Sequence, residues 1–237
     1  MSRTIAGVAL LGGLLSIAAS VHAAEGDFVR VLPTTGIVDS VMAGYLADGI
    51  ARAERDGAVA DVIELDTPGG SLEATKDIVS ALLQAPLPTI VWVAPAGGHA
   101  ASAGTFITLA AHAAYMAPGT RIGAATPVGG QGEDIPGALG QKVLNDSIAF
   151  ISSIAETRGR PVGWAVATVK DAKSSSASEA VAVGAVDGIV ASLEELRAAV
   201  GVRTVSVGGK DVQLSLAGAA FVEQSMNPLQ DLIHLLS

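Results

Sequence analysis

The chain has 237 residues and a formal net charge of −9, contains no cysteine, and is 50% hydrophobic but only 3% aromatic. The acidic balance argues against nucleic acid or an anionic lipid surface as partner. The missing cysteine excludes disulfides, thiol chemistry and thiolate-bound metal, so stability must come from packing Ala, Val, Leu and Ile.

Residues 1–23 read as a secretory signal. Arg3 supplies the charged start, Ile5 to Ala19 the apolar stretch, and Val21-His22-Ala23 the small-x-small cleavage pattern. That stretch falls short of the ~20 residues a membrane span needs, so an exported, extracytoplasmic protein is expected. Residues 24–226 are long enough for one domain with a sizeable core. Phe28 to Leu32 predicts a strand, and Val41 to Arg55 a helix with Tyr45, Leu46 and Ile50 near helical spacing. Val59 to Leu65 predicts a buried strand stopped by Asp66-Thr67-Pro68-Gly69-Gly70, after which Ser71 caps a helix reaching Gln84. A third strand, Thr89 to Val93, leads through Gly97-Gly98-His99-Ala100-Ala101 into a helix from Ser102 to His112.

Beyond it come a short strand at Ala114 to Met116, the segment Ile122-Gly123-Ala124, and a glycine- and acid-rich loop from Thr126 to Gly137. A long helix is expected from Leu139 to Arg158, then a helix ending at Glu179 to Gly184, a strand at Gly188 to Ala191 and a helix at Leu193 to Val200. Thr204 to Leu216 predicts a hairpin around Gly208-Gly209. Strands alternating with helices at this spacing imply an α/β fold with a largely parallel sheet and flanking helices. Residues 227–237 form an apolar tail, expected to pack on the domain or a partner, or to lead into a membrane segment.

Ser102 stands out. A hydroxyl among residues this small, at a strand–loop–helix junction, is reachable by a substrate backbone, and the amides beside a helix N-terminus can hold negative charge. A plain helix cap is the ordinary alternative for a serine here. A nucleophilic serine needs a base. His22 leaves with the signal, His99 is too close along the chain, His112 lies about 15 Å away along a helix, and His234 falls in the tail. A lysine base must be neutral, and bringing a lysine from ~10.4 to near 7 takes ~4 kcal/mol of environment. Of the five lysines, Lys76, Lys170, Lys173 and Lys210 lie beside acids and read as solvated or paired. Elimination leaves Lys142, at the start of a helix beside Val143 and Leu144. The Gly69-Gly70 turn and the Ala103 amide are the candidate oxyanion donors, worth ~3 kcal/mol each to a tetrahedral intermediate.

Three segments taken together resemble the NfeD family of ClpP-class membrane-associated serine proteases: Leu65 to Gly70, Ala100 to Thr105, and Met116 to Ala124. The resemblance covers about residues 27–200 and implies a ClpP/crotonase-like fold with a Ser–Lys dyad. It assigns Ser102 as nucleophile and Lys142 as base, with Gly69, Gly70 and Ala103 lining the oxyanion hole, and it calls for neither metal nor organic cofactor. It further implies self-association and cleavage of apolar segments in membrane-associated proteins, stomatin-like partners among them. Other readings are an α/β-hydrolase, which lacks its Gly-x-Ser-x-Gly signature here, and a crotonase-type acyl-CoA enzyme, which export disfavours. A catalytically silent scaffold binding a membrane protein through the same groove is the third.

Overall fold

The computed structural model describes residues 27–130 and 132–236; the expected signal at 1–23 lies outside them. The elements run β1 (Phe28–Thr35), α1 (Ser40–Arg55), β2 (Ala60–Asp66), α2 (Leu72–Leu83), β3 (Thr89–Val93), β4 (His99–Ala101) and α3 (Ala103–Ala110). They continue through β5 (Ala113–Met116), β6 (Arg121–Gly123), α4 (Gly137–Arg158), α5 (Val162–Lys170), β7 (Ser174–Ser176) and α6 (Ala177–Ala182). Last come β8 (Gly188–Ile189), α7 (Leu193–Val200), β9 (Val202–Val207), β10 (Lys210–Ser215), β11 (Ala220–Glu223) and α8 (Pro228–Leu235).

The main sheet has six strands in the order β11-β1-β2-β3-β5-β8, every neighbouring pair parallel. Parallel strands need both faces covered, which is why β3 is a continuous buried run, Thr-Ile-Val-Trp-Val. Side chains alternate between the faces. Leu32, Ile63, Leu65, Val91, Val93 and Met116 join a core shared with α1, α2, α3, α4 and α5. Val29, Val31, Val62, Ile90, Trp92 and Tyr115 join a second core, closed by Leu196 and Val200 of α7 and by Val205, Val207 and Leu214 of the antiparallel β9–β10 hairpin.

A smaller sheet, β4-β6-β7, pairs β4 with β6 in parallel and β6 with β7 antiparallel. It carries the site. Two residues of the chain between β2 and α2 lean on neighbouring backbone: Thr67 bridges Ala100 of β4, and Gly70 bridges Val38. Arg158, in the last turn of α4, gives Nε to the Ala110 carbonyl at 2.7 Å and Nη2 to the Leu82 carbonyl at 2.9 Å, closing the ends of α3 and α2 together.

Several elements depart from the sequence reading. β4, β7 and β11 are strands of three or four residues, too short to leave a periodic signal, and α5 opens on Val-Gly-Trp, a poor helix start. The serine helix begins one residue later and ends earlier than expected, so His112 lies outside it. The apolar tail is a helix, α8, opened by an Asn227–Gln230 capping box with Pro228 in its first turn. Its leucines stay exposed, Leu235 to 82%. His234 does the anchoring instead: Nδ1 lies 2.9 Å from Asp39 Oδ2 and Nε2 3.0 Å from the Thr35 carbonyl. No helix among the described residues is long and apolar enough to cross a membrane.

Candidate active site

Ser102 joins the last residue of β4 to the first of α3, with φ 50° and ψ −113°. A left-handed backbone at a residue other than glycine costs of order 1–3 kcal/mol, so the surroundings must hold it. They do. Its N–H donates to the Gly123 carbonyl at 2.9 Å, and its carbonyl accepts from Thr105 N at 2.9 Å. The buried Thr105 hydroxyl braces the same corner, 3.1 Å from the carbonyls of both Ala100 and Gly123. The Ser102 hydroxyl makes no capping bond to its own helix. The plain-cap alternative thus loses its defining contact, and the oxygen has no hydrogen-bond partner among the described residues.

Gly69 lies directly against it. With φ +112°, a Cβ there would sit 2.6 Å from Ser102 Cβ and 3.1 Å from Oγ, so this position accepts only glycine. A Cβ on Gly70 would collide with the backbone of Val38. The two glycine amides are not equivalent. Gly69 N–H is spent on Thr67 Oγ1 at 3.0 Å, whereas Gly70 N–H meets no acceptor among the described residues. The Ala103 N–H, first in α3, has no intrahelical acceptor. Ser102, Gly70 and Ala103 all line one cleft of about 240 Å³.

Apart from Thr75 and Ser147, the rest of that cleft is apolar. Leu72, Phe106, Ala125 and Val143 line it, and the loop before α4 adds Pro127, Val128 and Ile135. The acids of this loop, Glu133 and Asp134, are exposed, while its apolar side chains reach the cleft.

Lys142 occupies a different place from the one elimination suggests. It is exposed on α4 and lines a neighbouring cleft of about 580 Å³ with Leu72, Leu139, Val143, Asn145 and Asp146. Leu72 and Val143 form the partition between this cleft and that of Ser102. Lys142 forms no ion pair among the described residues. Lys76 does, with Asp146 at 2.9 Å across on α4 rather than with the acids on its own helix. Lys170, Lys173 and Lys210 are exposed.

None of the three described histidines reaches the serine through a hydrogen bond. His99 turns its ring to Asp66, Nδ1 lying 3.1 Å from Oδ1. His112 Nδ1 accepts from Thr89 N at 3.1 Å, and burial, aided by the nearby Arg158 charge, pushes its imidazole down to about 4. His234 is held by Asp39 as described. No group of three or more His, Asp or Glu side chains gathers in metal-binding geometry among the described residues.

Comparison with known proteins places this geometry in context. A family model described as NfeD1b, N-terminal domain, matches residues 28–209. The membrane-bound protease PH1510 of Pyrococcus horikoshii is 36% identical over 194 residues, covering 80% of this chain and 44% of that protein. The chain therefore spans less than half the length of this curated relative. Among solved structures, a lysine-to-alanine variant of the 1510-N membrane-bound stomatin-specific protease, in complex with a substrate peptide, superposes with a TM-score of 0.83 at 31% identity, over 90% of this chain and 98% of that one. A serine-to-alanine variant of the same protease gives 0.79 at 31% identity, over 85% and 99%. The α/β, ClpP/crotonase-like fold with a largely parallel sheet is the fold this chain adopts.

Proposed function

We infer that this chain, which belongs to the NfeD1b N-terminal-domain family, is a serine endopeptidase in which Ser102 attacks and Lys142 serves as base. The observation that carries the reading is the uncommitted Ser102 hydroxyl on a strained corner, sharing an apolar cleft with the unpaired amides of Gly70 and Ala103. The Lys142 Nζ takes the hydroxyl proton as Oγ attacks the peptide carbonyl. The carbonyl oxygen, now an anion, is held by Gly70 N–H and Ala103 N–H. Lys142 returns the proton to the departing amine, leaving an acyl-serine. Water then attacks the ester, giving a proton to Lys142, which returns it to Oγ as the acid product departs, restoring Ser102 and the base.

The substrate is an apolar segment of a membrane-associated protein, laid extended along the edge formed by Gly70 and Val38. The apolar lining of the cleft supports this, and a stomatin-like partner is favoured by the stomatin specificity named for the similar 1510-N protease. Substrate filling both clefts covers Lys142 and takes it out of water. In this reading the protein works outside the cytoplasm, attached to the membrane, as a homo-oligomer.

The exposure of Lys142 in the free chain favours one second reading: a silent scaffold that grips the same segment without cutting it. Ser102→Ala and Lys142→Ala, assayed separately on a Leu- and Val-rich peptide, decide between them. The protease reading expects each variant to lose turnover by at least a hundredfold while peptide binding survives. Turnover that persists in Lys142→Ala removes the dyad, and a wild-type chain that binds but never cuts is the scaffold.

A further inference from the structure

Two further hydroxyl residues line the cleft beside Ser102, Thr75 on α2 and Ser147 on α4. Ser147 is 1% exposed, and its Oγ finds no hydrogen-bond partner among the described residues. A buried hydroxyl left without a partner is costly, and in a helix a remedy is always at hand, the carbonyl four residues back. Other helical hydroxyls of this protein take that remedy, Thr75 of the same cleft among them: Thr75 donates to Ser71 O, Thr108 to Gly104 O, Ser152 to Ile148 O and Thr157 to Ser153 O, all at 2.7–2.8 Å. Ser147 does not bond the corresponding carbonyl of Val143, although Val143 lines the same cleft one turn away.

We propose that Ser147 is a specificity-determining residue of the cleft, selecting a short substrate side chain with an uncharged hydrogen-bonding tip, threonine above all, at the position whose carbonyl Ser102 attacks. The proposal rests on the protease reading for that position. The surroundings define the class. Leu72, Phe106, Pro127, Val128 and Ile135 accept an aliphatic stem, but they offer a charged tip nothing in exchange for its lost water. A volume of about 240 Å³ admits a residue of threonine or leucine size. Threonine and valine have nearly the same shape and differ by one hydroxyl, and Ser147, whose buried Oγ has no partner while the Thr75 hydroxyl already donates to Ser71 O, is placed to tell them apart.

Two peptides, identical except for threonine or valine before the scissile bond, are offered to the full chain and to its Ser147→Ala variant. The wild type is expected to favour threonine over valine about fivefold to tenfold in kcat/KM, and Ser147→Ala to erase or reverse that ratio while still cutting the valine peptide. A merely structural role would lower both rates together. Calorimetric binding of the same peptides to Ser102→Ala, with and without Ser147→Ala, reads the pocket independently of turnover. If no peptide is cut but the threonine preference in binding depends on Ser147, the protease reading fails, and with it the assignment to the attacked position, while the selectivity of Ser147 for the side chain stands. A threonine-to-valine ratio unchanged by Ser147→Ala, or no binding of either peptide, overturns it.

Discussion

Asp61 gives the sharpest stability prediction. It lies mid-strand on β2, fully buried, in register with Arg30 on β1 and Thr89 on β3. Arg30 hands a guanidinium N–H to Asp56 at 2.6 Å, and neither Asp61 oxygen has a hydrogen-bond partner among the described residues. Burial therefore pushes the carboxyl up to about 8, against the pull of the Arg30 charge. The folded protein keeps this proton until about pH 8, whereas the unfolded chain releases it near 3.8. Between those values each rise of one pH unit favours unfolding by about 1.4 kcal/mol, a total on the order of 5 kcal/mol, and outside them the contribution is flat. Asp61→Asn keeps the shape and cannot titrate. Going from pH 5 to pH 8.5, the wild type should lose on the order of 4 kcal/mol more than Asp61→Asn, or about 10 °C in Tm for a chain of this size. Urea and thermal unfolding of both proteins at four pH values across that span measure it, and the difference between the two curves cancels every other titrating group. Parallel curves would refute the reasoning.

Other consequences are equally open to measurement. Gly69→Ala should abolish peptide cleavage, since the new methyl displaces Ser102, while near-ultraviolet circular dichroism stays native and stability falls by about 1–3 kcal/mol. Arg158→Met should cost about 2–4 kcal/mol in urea unfolding, because the carbonyls of Ala110 and Leu82 lose a charged donor in a half-buried setting. For His234, burial works against the charged ring, but the Thr35 carbonyl and the carboxylates of Asp39 and Asp231 prevail and hold it above its ordinary 6.5. Its grip on α8 is thus present in full below pH 6.5 and fades as pH rises through the elevated value. Hydrogen exchange should show α8 amides less protected at pH 9 than at pH 6 after correction for intrinsic rates, and His234→Ala should remove that dependence at a cost of about 1–2 kcal/mol.

The inner strands of the main sheet were legible from their apolar runs, unlike β11 at its edge: β3 is bounded to the residue by its own composition, and the Ser71 cap marks the start of α2. The serine corner was legible too, as a hydroxyl among alanines and glycines after a strand. What sequence could not supply is which glycine amide remains free, because that turns on the Thr67 hydroxyl bending back to Gly69. The partner of Lys76 was hidden for a different reason: Asp146 lies 70 residues away, while Glu73 and Asp77 stand close by in sequence. Ser147 gave no signal at all. In Asn145-Asp146-Ser147 it reads as one more polar residue on a wet helix face, and only the packing of α4 against α3 reveals it as buried. Position alone did not betray the exposure of Lys142 either, since Val143 and Leu144 beside it are half-buried while it is not.

In the proposed reading, the chemistry of this site is written in main chain and its selectivity in side chains. Ser102, Gly69 and Gly70 are locked to neighbouring backbone, where almost any substitution breaks the corner. The opposing wall, Val143 and Ser147 on α4 with Pro127, Val128 and Ile135 above them, touches none of those bonds. Under the proposed function, gene duplicates are therefore free to drift along that wall and acquire new cutting preferences one residue at a time, without passing through an inactive ancestor.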